Sequence, residues 1–220
     1  MSPSPPRRFV SRGGEKLDGA LDTFGVDVSG LRALDAGAST GGFTDCLLKR
    51  GAREVVAADV AYGQLAWELR NDPRVRVMER TNVRALNAEA IGGPADLVVA
   101  DLAFISLVTV AGALVACTAP HGALVLMVKP QFELPRAMVP RGGVVTDDDA
   151  RLDACARVAS AYRALGCALA GATPSSLKGP KGNREFFLLF ARAASGDGGG
   201  AEAATDVGDA ALHAAVRSAP

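Results

Sequence analysis

Apolar and polar positions alternate along the chain in two rhythms. Short apolar runs, several of them closed by a charged side chain, predict strands at Leu31–Asp35 (LRALD), Glu54–Asp59 (EVVAAD), Val75–Glu79, Leu97–Asp101, Ala123–Val128 (ALVLMV) and Glu185–Ala191 (EFFLLFA). Between them lie segments with helical patterning, at Gly41–Arg50, Gly63–Asn71 and Asp147–Leu165. The last opens on Asp147, Asp148 and Asp149, where the helix dipole favours anions. Strand–helix alternation of this kind predicts an α/β fold, a parallel sheet with helices on both faces. Such sheets bind ligands at the carboxyl ends of their strands. The run Leu102–Ala119 carries no charge and has the length of a membrane span. However, a strand ending in Asp101 feeds it, Gly112 and Pro120 punctuate it, and no basic cluster flanks it. The expectation is a loop and a buried helix, with no membrane partner.

Composition narrows the class. Of 220 residues, 49% are hydrophobic and 22% charged, which suits one globular domain with short tails. The first eight residues are rich in Pro, Ser and Arg and are expected to be disordered; the N-terminus also lacks the apolar core of a signal peptide. Ser195–Pro220, with Asp197, Glu202, Asp206 and Asp209 against Arg217, reads as a disordered, solvated tail. The folded domain is therefore expected at 9–194. Basic and acidic side chains balance at 24 each, so no global positive field exists, and any polyanion must meet a local patch. The four cysteines form no CxxC pair and the only histidines are His121 and His213, which argues against a metal site. Buried, reduced thiols fit a reducing, cytoplasmic compartment.

Candidate chemistry gathers at the predicted strand ends. The strongest signal is Asp35-Ala-Gly37-Ala-Ser39-Thr40-Gly41-Gly42-Phe43-Thr44, which follows a strand and opens a helix. Its glycines let the backbone approach a ligand, and the helix start supplies free N–H groups. The pattern DxGxSxGG resembles motif I of S-adenosylmethionine methyltransferases. Asp59 ends the second strand, where a carboxylate can hold a ribose diol or simply cap a helix. Asn82 follows the third strand and suits an adenine edge or a plain turn. Asp101 stands between two apolar runs and needs a partner. Lys129 ends the next strand, so the two pair either for catalysis or as a structural ion pair. The five lysines, Lys16, Lys49, Lys129, Lys178 and Lys181, stand against 19 arginines, and a lysine kept beside an Asp suggests proton chemistry. Arg7, Arg8 and Arg12, with the loop carrying Lys178, Lys181 and Arg184, form a candidate local positive patch for a polyanion or ordinary solvated loops. The segment Ser11–Leu17 is polar and Gly-rich and leads into the helical ALDTF.

The runs SRGGEKL, DAGASTGGFTD, DVAYGQL, ERTNVR, ADLAFISL, KPQFE, RGGVV and KGPKGNREF together resemble the hemolysin-A (TlyA-type) ribosomal RNA 2′-O-methyltransferases, within the wider FtsJ-like ribose methyltransferases. The resemblance spans about Phe9 to Ala194. It implies a Rossmann-like fold with a mostly parallel seven-stranded sheet and S-adenosylmethionine as cofactor. It also implies ribosomal RNA or ribosomal subunits as partner, with cytidine as the typical target. The family's Lys-Asp-Lys-Glu tetrad falls on Lys16, Asp101, Lys129 and Glu185. In this reading Lys129, held by Asp101 and Glu185, orients the ribose hydroxyl, while Lys16 positions the ribose or completes the charge balance. Motif I would bind cofactor through Asp35, Gly37, Ser39, Thr40, Gly41, Gly42 and Phe43, with Asp59, Asn82 and Asp101 completing the set. Members usually carry an N-terminal S4-type RNA-binding domain; ten residues precede Ser11 here, so an isolated catalytic domain is expected. Competing readings are a methyltransferase with another acceptor, a non-catalytic RNA-binding module and a membrane-active hemolysin.

Overall fold

The computed structural model describes residues 8–192 and 205–219. In chain order the elements are α1 (Arg12–Phe24), β1 (Arg32–Ala36), α2 (Gly42–Lys49), β2 (Glu54–Ala58), α3 (Trp67–Arg70), β3 (Val75–Met78), β4 (Ala95–Ala100), α4 (Leu107–Cys117) and β5 (Thr118–Val128). Then follow the single turn α5 (Pro130–Glu133), α6 (Asp148–Arg163), β6 (Cys167–Pro174), β7 (Phe186–Arg192) and α7 (Gly208–Ser218).

The seven strands form one sheet in the order β3-β2-β1-β4-β5-β7-β6. The first five run parallel, and β7 inserts antiparallel between β5 and β6. Strand order reverses between β1 and β4, which opens a crevice at their carboxyl ends. Side chains alternate across the sheet with a period of two. Leu34, Ala36, Val98, Leu124, Leu126 and Phe190 share one face, where they pack with residues of α4, α6 and α7. Ala33, Val55, Leu97, Val99, Val125 and Phe187 face the other way, onto α1 and α2.

Several boundaries differ from the sequence reading. Helix α1 begins at Arg12, so the Gly-rich SRGG segment is the first helical turn rather than a lead-in. Close packing explains it: a Cβ on Gly42 would run into Ser11 Oγ and the Gly14 backbone N–H. Helix α3 is confined to Trp67–Arg70, and β5 starts five residues earlier than Ala123. The apolar run beyond Asp101 is indeed a loop and then a buried helix, α4. Among the described residues no helix is long and apolar enough to cross a membrane.

The C-terminal stretch is the main correction. In place of a solvated tail, Gly208–Ser218 is a helix that buries Leu212, Ala215 and Val216 on one side. The i, i+3, i+4 spacing is the ordinary one for a docked helix. Arg163 clasps Asp206 at 2.6 Å and Asp209 at 2.8 Å, so two acids read as solvent-facing serve instead as anchors. The expected disorder of residues 1–7 and 195–204 falls outside the described residues.

Candidate active site

Four chain segments converge on the carboxyl edge of the sheet. Ala36 pairs with Ala100, so Gly37 and Asp101 leave adjacent strands side by side. Gly37 has φ 89°, and a Cβ there would lie 2.7 Å from the Asp101 carbonyl oxygen. Only glycine permits that approach. One strand further, Lys129 follows β5. Its Nζ lies 2.5 Å from Asp101 Oδ1. The contact is a close ion pair. An ammonium carries three N–H donors, so Lys129 can face Asp101 and still offer a donor to another acceptor.

The second half of the tetrad is more deeply placed. Val128 pairs with Phe186, so antiparallel β7 delivers Glu185 to the same edge. Lys16, on α1, donates to Glu185 Oε2 at 2.5 Å, with side chains 7% and 1% exposed. The expectation that Glu185 holds Lys129 is thus corrected: Glu185 holds Lys16, whose buried ammonium needs a neutralising partner.

A cavity of about 310 Å³ opens over this edge. Lys16, Asp101 and Lys129 line it together with the motif I residues Gly37, Ser39, Thr40, Gly42 and Phe43. Its volume falls at the lower end of small-molecule sites, ~300–1,000 Å³. An adjoining narrow slot is lined by Ser39, Asp59 and Gln64 among others. Asp59 accepts the Ser39 N–H at 2.8 Å and the Ala61 N–H at 2.7 Å, one on each oxygen. Beneath the floor, Asp35 is fully buried. Its Oδ2 accepts the Thr44 hydroxyl at 2.7 Å, while Oδ1 has no partner. Burial, opposed by the Thr44 hydrogen bond and reinforced by Asp101, pushes the Asp35 carboxyl up to about 7.

A family model for FtsJ-like methyltransferases matches residues 9–192. The chain belongs to this family. The FtsJ-like methyltransferase is 58% identical over 182 residues to the 16S/23S rRNA (cytidine-2′-O)-methyltransferase TlyA of Mycobacterium tuberculosis, covering 83% of this chain and 68% of that protein. It is 33% identical over 183 residues to the 23S rRNA (cytidine-2′-O)-methyltransferase TlyA of Campylobacter jejuni, covering 83% and 70%. A solved structure of a candidate hemolysin from Streptococcus thermophilus superposes with a TM-score of 0.89 at 33% identity, over 98% of this chain and 75% of that one. The seven-stranded, mostly parallel sheet is the Rossmann-like methyltransferase fold, which more distant methyltransferase structures share.

The methyltransferase's residues fit a sulfonium cofactor. The cavity is walled by backbone at Gly37 and Gly42 and by Ser39, acids stand on its cavity and slot sides at Asp101 and Asp59, and each Asp59 oxygen keeps a lone pair for a diol hydroxyl. Gly41 does not line the cavity; it is the N-cap of α2. Asn82 is exposed and its Oδ1 accepts the Arg84 N–H at 3.0 Å, which caps the turn that follows β3. Among the described residues no three His, Cys, Asp or Glu side chains cluster as a metal ion requires.

The proposed RNA patch divides. Arg12 lines the cavity mouth with Pro180, so the loop bearing the exposed Lys178 and Lys181 borders the site, with Arg184 half-buried beside Glu185. Arg8 is instead bound to Asp18 at 2.5 Å, and Arg7 lies outside the described residues. Two contributors escape the sequence reading. Ser11 lines the cavity, and Thr44 holds Asp35; the nine-residue spacing of Asp35 and Thr44, strand end to first helical turn, was the available signal.

Proposed function

We propose that this chain transfers a methyl group from S-adenosylmethionine to the ribose 2′-oxygen of ribosomal RNA, with cytidine as the target nucleoside, in the cytoplasm. The observation that carries the reading is the Asp101–Lys129 pair opening into the same cavity as the motif I loop. The names of the M. tuberculosis and C. jejuni relatives support the acceptor.

The bound cofactor supplies an electrophilic methyl on a sulfonium. The chain's residues act on the acceptor. A ribose hydroxyl is a poor acid and a weak nucleophile, so the transfer forms an O–C bond, breaks the methyl C–S bond and the hydroxyl O–H bond, and releases the proton to water at the cavity mouth. Lys129, held in place by the Asp101 charge, meets that oxygen and stabilises the negative charge developing on it. Lys16, neutralised by Glu185, borders the cavity and fixes the ribose. Both oxygen and methyl carbon must be aligned, so orientation supplies much of the rate. Arg12 and the Lys178–Arg184 loop contact the phosphate backbone near the cavity mouth.

The test is methyl transfer from labelled S-adenosylmethionine to unmodified ribosomal subunits and naked rRNA, wild type beside Lys129→Ala, followed by alkaline digestion. Label in alkali-stable dinucleotides is expected, falling about 100-fold or more in the variant while cofactor affinity is retained. Alkali-labile product, or equal label from both proteins, overturns the assignment.

A further inference from the structure

Asp101 and Lys129 each stand one residue past a strand: the Asp101 N–H donates to the Ala36 carbonyl at 3.1 Å and Val128 pairs with Phe186, but neither contact joins β4 to β5. The last β4–β5 register pair is Ala100 with Leu126. Strand adjacency brings the two residues near each other, but past that pair no β4–β5 pairing fixes the separation of their side chains, 2.5 Å at the ion pair. A different residue bridges the loops. Glu133, 8% exposed, lies at the end of the α5 turn that starts immediately after Lys129. Its Oε1 accepts the Leu107 N–H at 2.9 Å, and its Oε2 accepts the Ser106 hydroxyl. Both donors stand at the start of α4, at the far end of the loop that leaves Asp101.

The turn itself is stiff. Pro130 occupies its first position, and the Phe132 N–H donates to the Lys129 carbonyl at 2.8 Å. Phe132 also meets Phe104, of the Asp101 loop, with ring centroids 5.4 Å apart. Helix capping alone does not account for Glu133. The N-cap of α4 is already Ser106, whose Oγ accepts the Val108 N–H at 3.0 Å. Burial disfavours the Glu133 charge and raises its pKa. A buried carboxylate is a costly means of satisfying donors that a short polar side chain serves at other helix starts.

We propose that Glu133 is a positioning residue, clamping the turn after Lys129 to the start of α4 and thereby fixing the spacing of Asp101 and Lys129. This rests on the reading that those two residues act on the acceptor oxygen, and its test has an arm that needs no acceptor. The chain has only five lysines, so ¹³Cε-lysine labelling yields few signals, and Lys129→Arg assigns the one of interest. Glu133→Ala is compared with Glu133→Gln, which keeps an acceptor for Leu107. A third variant, Leu212→Ala in α7, is a stability control outside both loops.

Glu133→Ala is expected to shift the Lys129 signal and to lower methyl transfer about 100-fold with cofactor affinity unchanged, as a misplacement of about 1 Å does. Glu133→Gln restores both, and Leu212→Ala moves neither. A Glu133→Ala protein that is destabilised but keeps the wild-type signal and rate overturns the proposal and leaves Glu133 a helix cap. If that variant does not fold, Glu133→Asp, one methylene short of spanning both donors, takes its place. An unmoved Lys129 signal in it is equally decisive against the clamp. A shifted signal in a protein whose wild type methylates no rRNA supports the clamp and removes the acceptor assignment.

Discussion

Asp35 makes the fold's stability depend on pH in an unusual direction. Its carboxyl is fully buried, with one oxygen on Thr44 and the other without a partner. Burial therefore raises its pKa from 3.8 to about 7. Between those values the folded protein holds a proton that the unfolded chain has released. Stability from this group is full below the unfolded pKa and is lost as pH rises through the folded one. The complete loss is about 4 kcal/mol, of which about 3 kcal/mol falls between pH 5 and pH 8. Asp35→Asn keeps the shape and the Thr44 contact but cannot ionise. Urea unfolding of both proteins at the two pH values isolates the effect, because every other titrating group is common to both. The variant is expected to exceed the wild type already at pH 5, by the remaining ~1–2 kcal/mol, and by about 3 kcal/mol more at pH 8, a further midpoint rise of about 1 M urea at an m-value of about 3 kcal/mol/M. A stability difference that is the same at pH 5 and pH 8 refutes the reasoning.

Gly37→Val places a Cβ against the Asp101 carbonyl at a φ of 89°. It should cost about 3 kcal/mol or more in stability and abolish cofactor binding, measured by thermal melting and calorimetry; a variant that melts and binds as the wild type does sinks the account of motif I. Lys16→Met leaves Glu185 charged and buried alone, at a cost of about 3–5 kcal/mol, whereas Lys16→Met with Glu185→Leu should regain most of it. Denaturation of the double variant no better than the single one would show that the pair is not the buried ion pair drawn here.

How much of this was legible in the sequence depended on whether a feature is local. Asp101 and Lys129 each end an apolar run, so their places at strand ends could be read, and strand adjacency then made them neighbours. Lys16 and Glu185 lie 169 residues apart, and no periodicity links them. Their pairing came within reach only through family resemblance, which named both residues but assigned Glu185 to the wrong lysine. Strand β6 escapes such a reading because CALAGATP is built of small residues with little strand preference, held in place by β7 across a register shift between Leu169 and Gly171. Helix α7 escapes it because alanines fill its face, leaving Leu212 and Val216 too sparse to read as an apolar stripe. The acids near it balance Arg163, a contact that exists only once α6 and α7 are packed.

The antiparallel strand carries a functional consequence. In the parallel part of the sheet only residues that follow a strand can reach the carboxyl edge, as Gly37, Asp101 and Lys129 do. Glu185 precedes its strand, so it arrives at that edge only because β7 runs the other way. Were β7 parallel, Glu185 would stand at the opposite edge, and the residue following Arg192 would take its place. Lys16 would then be a buried ammonium with no carboxylate, which a cavity wall cannot tolerate without loss of charge or of fold. The reversal of one strand thus lets the site draw a lysine from a helix before β1 and an acid from a loop before β7. The two are neutralised out of solvent, and the more exposed Asp101–Lys129 pair is left facing the cavity.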